Sequence, residues 1–183
     1  MRSLVVTQNI TVDGAVEMLG DWFDPEGADD SEQVGELLAQ TARSDALVLG
    51  RRTFEDFRSY WPKQVDDRTG ITESLNRQNK YVVSATMTDP EWENTTILDG
   101  DPVERVRRLK EQAGADIVVT GSIRLCHALI GAGLVDEYRL FVYPAVQGGG
   151  RRLFPAGYEV PRLSLRESRV FAGGVVYSRY SVH

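Results

Sequence analysis

Short runs of β-branched residues alternate along the chain with longer stretches in which apolar positions recur at helical spacing. Ser3 to Thr7 (SLVVT) predicts a first strand. Asn9 to Glu17 continues it irregularly through an Asp13-Gly14 turn signal, and the acidic, Gly- and Pro-containing stretch from Gly20 to Asp30 reads as a loop. Asp30 followed by Gln33 fits a capping box, so a helix starts near Asp30 or Ser31, with Val34, Leu37, Leu38 and Thr41 as its apolar face. Ala46 to Leu49 is wholly apolar, as a strand covered on both faces requires. It ends at Gly50, and a short helix from Thr53 to Tyr60 follows, stopped by Pro62.

Tyr81 to Val83 and Thr95 to Leu98 predict two further strands. Asp101-Pro102-Val103-Glu104 is a helix start, with Asp as N-cap and Pro in the first position, and Gly114 ends that helix after Ala113. Asp116 to Thr120 is another buried strand, Gly121-Ser122 opens a helix through Ile130, and Glu137 to Val142 is a strand. Leu163 to Phe171 and Val175 to Ser181 form a hairpin around Ala172-Gly173-Gly174. Strand–helix alternation closed by a hairpin predicts an α/β fold, one domain over residues 1–183, whose mostly parallel sheet carries an antiparallel edge. Ligands of such sheets bind beyond the carboxyl ends of the strands.

Composition narrows the chemistry. The net charge of −6 argues against nucleic acid or an anionic membrane as partner, since both need a basic face, but leaves a small anionic ligand open. With Cys126 the one cysteine and His127 and His183 the only histidines, neither a disulfide, a zinc site nor a His-dependent triad is expected. Cys126 lies in the apolar run LCHALI and reads as a buried small hydrophobe. No stretch approaches the roughly 20 apolar residues of a membrane helix, and the N-terminus has no signal-peptide core. The expected compartment is the cytoplasm.

Two strand-to-helix junctions could hold phosphate: LVLGRRT (Leu47 to Thr53) and VVTGSI (Val118 to Ile123). Each has an apolar strand, a glycine, then a hydroxyl residue at a helix start, where unpaired N–H groups and a partial positive charge favour an anion. Neither has P-loop or Rossmann spacing. Taken singly, each is as well explained by the turns and caps that any α/β protein needs. Arg51 and Arg52 sharpen the first, because guanidinium groups suit a doubly charged phosphate, though at least one of the two should be a solvated surface residue.

LVLGRRTFEDF resembles the glycine-arginine-x-threonine segment of dihydrofolate reductases. YVVSATM is similar to that family's strand with a terminal Ser on the adenosine side, and VVTGSIRL to its glycine-rich turn under the pyrophosphate. NITVDG near the start and DEYRLFVYPAVQGGGRRLF (Asp136 to Phe154) resemble the reductase domain of the bifunctional deaminase-reductase of riboflavin biosynthesis. The resemblance spans nearly the whole chain. It implies a dihydrofolate-reductase-like sheet of about eight strands flanked by about four helices, and a homodimer. The implied activity is NADPH-dependent hydride transfer to a small heterocyclic or imine substrate, as in the phosphoribosylamino-uracil reductase. A dihydrofolate or pterin reductase and a non-catalytic nucleotide-binding module are the alternatives.

Residue by residue, the resemblance implies cofactor contacts at Gly50, Arg51 and Thr53, with Arg51 on the 2′-phosphate, at Ser84, and at Thr120, Gly121, Ser122 and Ile123. Dihydrofolate reductases have successive glycines with a cis peptide where this chain has Thr120-Gly121. Candidate acids are Asp13, of the family's Asp-Gly motif, and Asp30, with Asp29, Glu32 and Glu36 also on or near the first helix. Asp13 is equally well a turn former, and Asp30 a cap. The riboflavin enzymes have Lys and an acid where this chain has Ala15 and Phe57, which puts the phosphoribosyl substrate in doubt. Trp22, Phe57 and Trp61, with Phe54 and Tyr60, could line a flat apolar cleft, although several must be core. Arg105, Arg107, Arg108, Lys110 and Glu111 read as a solvated helix face, and Arg166 to Arg169 as an edge strand or dimer contact.

Overall fold

The structure is a computed structural model and describes residues 1–23, 31–159 and 162–183. The elements in chain order are β1 (Leu4–Thr11), α1 (Ser31–Ala42), β2 (Ser44–Gly50), α2 (Arg51–Tyr60), a short 3-10 turn (Trp61–Lys63), α3 (Ile71–Arg77), β3 (Asn79–Val83), β4 (Thr95–Leu98), α4 (Pro102–Glu111), β5 (Asp116–Val119), α5 (Ile123–Gly131), β6 (Glu137–Tyr143), β7 (Ser164–Val170) and β8 (Val176–Ser181). The eight strands form one sheet in the order β4-β3-β2-β5-β1-β6-β8-β7. All neighbours run parallel except β6–β8 and β8–β7, so the hairpin supplies the antiparallel edge. This is the dihydrofolate-reductase-like architecture expected, with α3 a fifth helix beyond the expected four.

Strand alternation sorts the core. On β2, Ala46 and Val48 point to one face and join Leu4, Val6, Ile117, Val119, Leu125 and Leu129 in a large continuous cluster. Leu47 and Leu49 point to the other face and pack with Val5, Phe54, Val82, Trp92 and Val118. Leu49 and Val48 are both fully buried, which is why the run is apolar throughout. Each such side chain contributes roughly 1.5–3 kcal/mol. The second face is not continuous: a separate cluster of Phe141, Tyr143, Phe171, Val175 and Tyr177 lies at its other end. Between the two clusters β1 offers Thr7, Asn9 and Thr11, and that break in apolar packing is where the cavity opens.

Three expectations change. β1 runs on to Thr11 despite Gln8 and Asn9, because β6 pairs with it from Val5 to Thr11 and supplies the ladder partners. On α1 the buried side chains are Gln33, Glu36 and Gln40, whereas Val34, Leu37, Leu38 and Thr41 are only half-buried. The polar residues have found partners in Tyr143, Arg169 and Thr7, and Leu37, Leu38 and Thr41 line the cavity. Lys110 is buried rather than solvated, since its ammonium bonds Leu134 O at 2.7 Å and Asp136 at 2.6 Å. Asp29 and Asp30 lie outside the described residues. No helix among the described residues is long and apolar enough to cross a membrane.

Candidate active site

The two phosphate-type junctions meet. Gly50 N donates to Gly121 O at 3.1 Å, so the amino ends of α2 and α5 stand side by side at the carboxyl edge of β2 and β5. The close approach leaves little room for a side chain at either position. A Cβ at Gly50 would overlap Ser122 Oγ and stand 2.9 Å from Ser122 Cβ, and one at Gly121 would stand 2.8 Å from Thr53 Oγ1. The cis peptide is Gly121–Ser122, one residue later than the Thr120-Gly121 position considered from sequence. Gly50, Thr53, Thr120, Gly121, Ser122 and Ile123 are therefore one cluster, and all but Gly50 line the cavity.

Both helices begin without a side-chain cap: neither Gly50 nor Ser122 accepts from the first turn. α4, remote from the site, is capped in the ordinary way, with Asp101 accepting from Glu104 N at 2.8 Å. A phosphate could satisfy the uncapped amides beside the cavity from outside the chain.

Arg51 and Arg52 diverge. Arg51 leans toward the end of β3, hydrogen-bonding Thr86 Oγ1 and pairing with Glu55 at 2.7 Å. Arg52 instead lines the cavity with Arg124 and Arg151. Ser84 is buried beside Thr86, and its hydroxyl oxygen accepts from Thr86 N at 3.2 Å and Met87 N at 3.0 Å. Arg51, Ser84 and Thr86 thus form a polar shelf next to the joined helix starts. These residues could hold an adenosine phosphate: of the two partners of Arg51, Glu55 and the neutral Thr86 hydroxyl, the hydroxyl is the one a stronger acceptor could replace.

The cavity has a volume of about 1010 Å³ and lies between α1, α2 and the sheet. Phe57, Tyr60 and Trp61 line its α2 wall, the Tyr60 and Trp61 rings meeting edge to face at 5.0 Å. Phe54 is core, with no exposure. Trp22 is not a lining residue: it packs edge-on to Tyr143 at 5.4 Å, its N–H donates to Gln147 Oε1 at 2.8 Å, and Phe23 takes the place beside the cavity.

The acid candidates resolve differently from expectation. Asp13 does not line the cavity. It accepts from the Thr11 hydroxyl at 2.6 Å and from the Gly148 and Gln147 amides at 2.9 and 3.2 Å, and these bonds hold its carboxyl down at about 2. Asp13 is therefore an ionised tie for the Gln147–Gly150 bend rather than a proton donor. Asp30 lies outside the described residues. Glu36 is buried in ion pairs with Arg43 and Arg169 and does not line the cavity. Among the described residues the carboxylates that line it are Glu17, held below its ordinary value chiefly by the Arg151 side chain, and the exposed Asp56. Sequence reasoning missed Thr7, Asn9 and Gln40 on the floor; for Thr7 and Asn9 the signal was the change from apolar to polar residues in the middle of a central strand, LVVTQNIT. Among the described residues no cluster of side chains could hold a metal ion.

Comparison with known proteins identifies the family and the fold. Residues 2–177 match the family model of the RibD C-terminal domain. The chain is 31% identical to the uncharacterized protein YyaP of Bacillus subtilis over 182 residues, covering 98% of this chain and 94% of that one. Among solved structures it is similar to a putative riboflavin biosynthesis protein of Shewanella, with TM-score 0.74, 20% identity and 99% of each chain covered. It also superposes on dihydrofolate reductase from Enterococcus faecalis complexed with NADP(H), with TM-score 0.65, 16% identity and coverage of 99% and 96%. The chain belongs to the RibD C-terminal domain family.

Proposed function

We propose that the protein is an NADPH-dependent reductase of a small heterocyclic or imine substrate. One observation carries this reading. The Gly50–Gly121 contact gathers two uncapped helix starts, Thr53 and the Arg51–Ser84 shelf at the rim of a cavity large enough for a second ring. NADPH, when bound, supplies a hydride. The chain's residues do the rest. The α2 and α5 amides and Thr53 hold the pyrophosphate, Arg51 and Ser84 hold the adenosine phosphate, and Phe57 and Trp61 flank the acceptor ring and exclude water from one side. Among the described residues of α1, neither Glu32 nor Glu36 lines the cavity.

Titration of the intrinsic fluorescence with NADPH and NADH tests the reading. NADPH should bind at least about tenfold tighter than NADH, the value of one charge-assisted contact. Arg51→Gln should remove most of that preference and leave NADH affinity as it was. No binding, or equal affinity for the two cofactors, would defeat the assignment.

A further inference from the structure

The cavity floor carries an arrangement that specifies what the substrate must present. Gln40 on α1 and Thr7 on β1 both line the cavity, and they are buried, at 3% and 9% exposure. Gln40 Nε2 lies 3.1 Å from Glu36 Oε1, and Thr7 Oγ1 lies 3.1 Å from Gln40 Oε1. The two ends of a glutamine amide have the same shape, so the partners decide which end points where.

Glu36 makes that decision. Burial pushes its carboxyl up, but hydrogen bonds from Gln40 and Arg169 and the charges of Arg169 and Arg43 outweigh it and keep the group ionised. An ionised carboxylate only accepts, so the amino end of Gln40 must face it. The carbonyl end then faces Thr7. Two oxygens at hydrogen-bond distance need a proton between them, so the Thr7 hydroxyl donates to Gln40 Oε1. That uses the one proton Thr7 has. Lone pairs on Thr7 Oγ1 and Gln40 Oε1 remain, and among the described residues no second donor is directed at Gln40 Oε1. Both residues are buried, so an acceptor left without a partner there is costly.

We infer that the cavity floor selects a substrate ring through its N–H groups, with Gln40 Oε1 and Thr7 Oγ1 as acceptors and Glu36 as the positioning residue that sets their direction. A cyclic amide, amidine or imide edge fits this floor. A ring that turns only carbonyls or N-alkyl groups toward these two oxygens is disfavoured, because lone pairs then face lone pairs or the Thr7–Gln40 bond must break. The inference deepens the reductase reading and rests on it for taking the cavity as the substrate site.

The test uses the full chain with saturating NADPH and two fluorescent probes, lumazine and its N,N′-dimethyl derivative, which share a ring and differ in N–H groups. Lumazine should bind about tenfold tighter, the factor expected of one or two neutral hydrogen bonds. Gln40→Met and Thr7→Val, close in volume but without the acceptor, should each collapse that ratio toward one, and Thr7→Ser should keep it. Glu36→Gln should also collapse it, although residue 36 does not touch the cavity, because a neutral amide there no longer orients Gln40. NADPH affinity and the melting curve show which variants are folded. Equal binding of the two probes, binding of neither, or an undiminished ratio in folded Gln40→Met and Thr7→Val would overturn the inference. Its failure is separable from that of the reductase reading: NADPH binding without probe discrimination sinks the acceptor floor alone, and discrimination without NADPH binding sinks the cofactor assignment alone.

Discussion

The contact between the two helix starts can be tested with one methyl group. Gly50 has φ −73 and ψ 153, a conformation alanine adopts freely, so Gly50→Ala carries no backbone penalty. Its whole cost is steric: the new Cβ would overlap Ser122 Oγ and come within 2.9 Å of Ser122 Cβ and 3.2 Å of Ser122 N. Overpacking of this kind costs about 1–3 kcal/mol, which for a chain of this size lowers Tm by roughly 2–12 °C. The strain falls where the proposed pyrophosphate site is assembled, so NADPH affinity should fall with stability. Ser122→Gly removes the Oγ and Cβ and leaves the 3.2 Å approach to nitrogen, which is tight but tolerable. The change is cheap by itself, since Ser122 makes no side-chain cap bond and glycine is an acceptable N-cap. The double variant should therefore melt well above Gly50→Ala alone, with a coupling of about 1–2 kcal/mol in a urea-unfolding cycle. If the two losses simply add, the junctions do not touch as described, and the shared phosphate site goes with them.

The Asp13 carboxyl has its folded pKa lowered from 3.8 to about 2, so its contribution to stability is present above the unfolded value and is lost as pH falls through about 2. Asp13→Asn should be less stable at neutral pH, with urea midpoints that fall less steeply than those of the unmodified chain on the acid side; parallel acid limbs would contradict the tie to Thr11, Gln147 and Gly148. Burial pushes the Cys126 thiol up to about 12, opposed only weakly by its own amide and by Gln8. The native chain should resist a thiol reagent under mildly alkaline conditions that label the urea-unfolded chain to completion, and prompt labelling of the native chain would show that Cys126 is not the core residue described.

What could be read from sequence divides by the reach of the interaction. The β2–α2 and β5–α5 junctions were legible because their chemistry is local: an apolar strand, a glycine and a hydroxyl at a helix start mean the same thing wherever they occur. That the two junctions touch was not local, and only the strand order β2-β5 makes it so. α1 shows the limit more sharply. Its apolar spacing pointed to Val34, Leu37, Leu38 and Thr41 as the core face, yet Gln33, Glu36 and Gln40 are the buried residues. Their partners are Tyr143, Arg169 and Thr7, separated from them by 110, 133 and 33 residues. Periodicity assumes that burial follows hydrophobicity, and that holds only where polar groups lack distant partners. A polar stripe that is buried and held by distant partners beside a cavity therefore escapes a reading by pattern. It also places polar groups of fixed orientation where a ligand can reach them, so the same long-range pairing that hid Gln40 from the sequence gives the floor its direction.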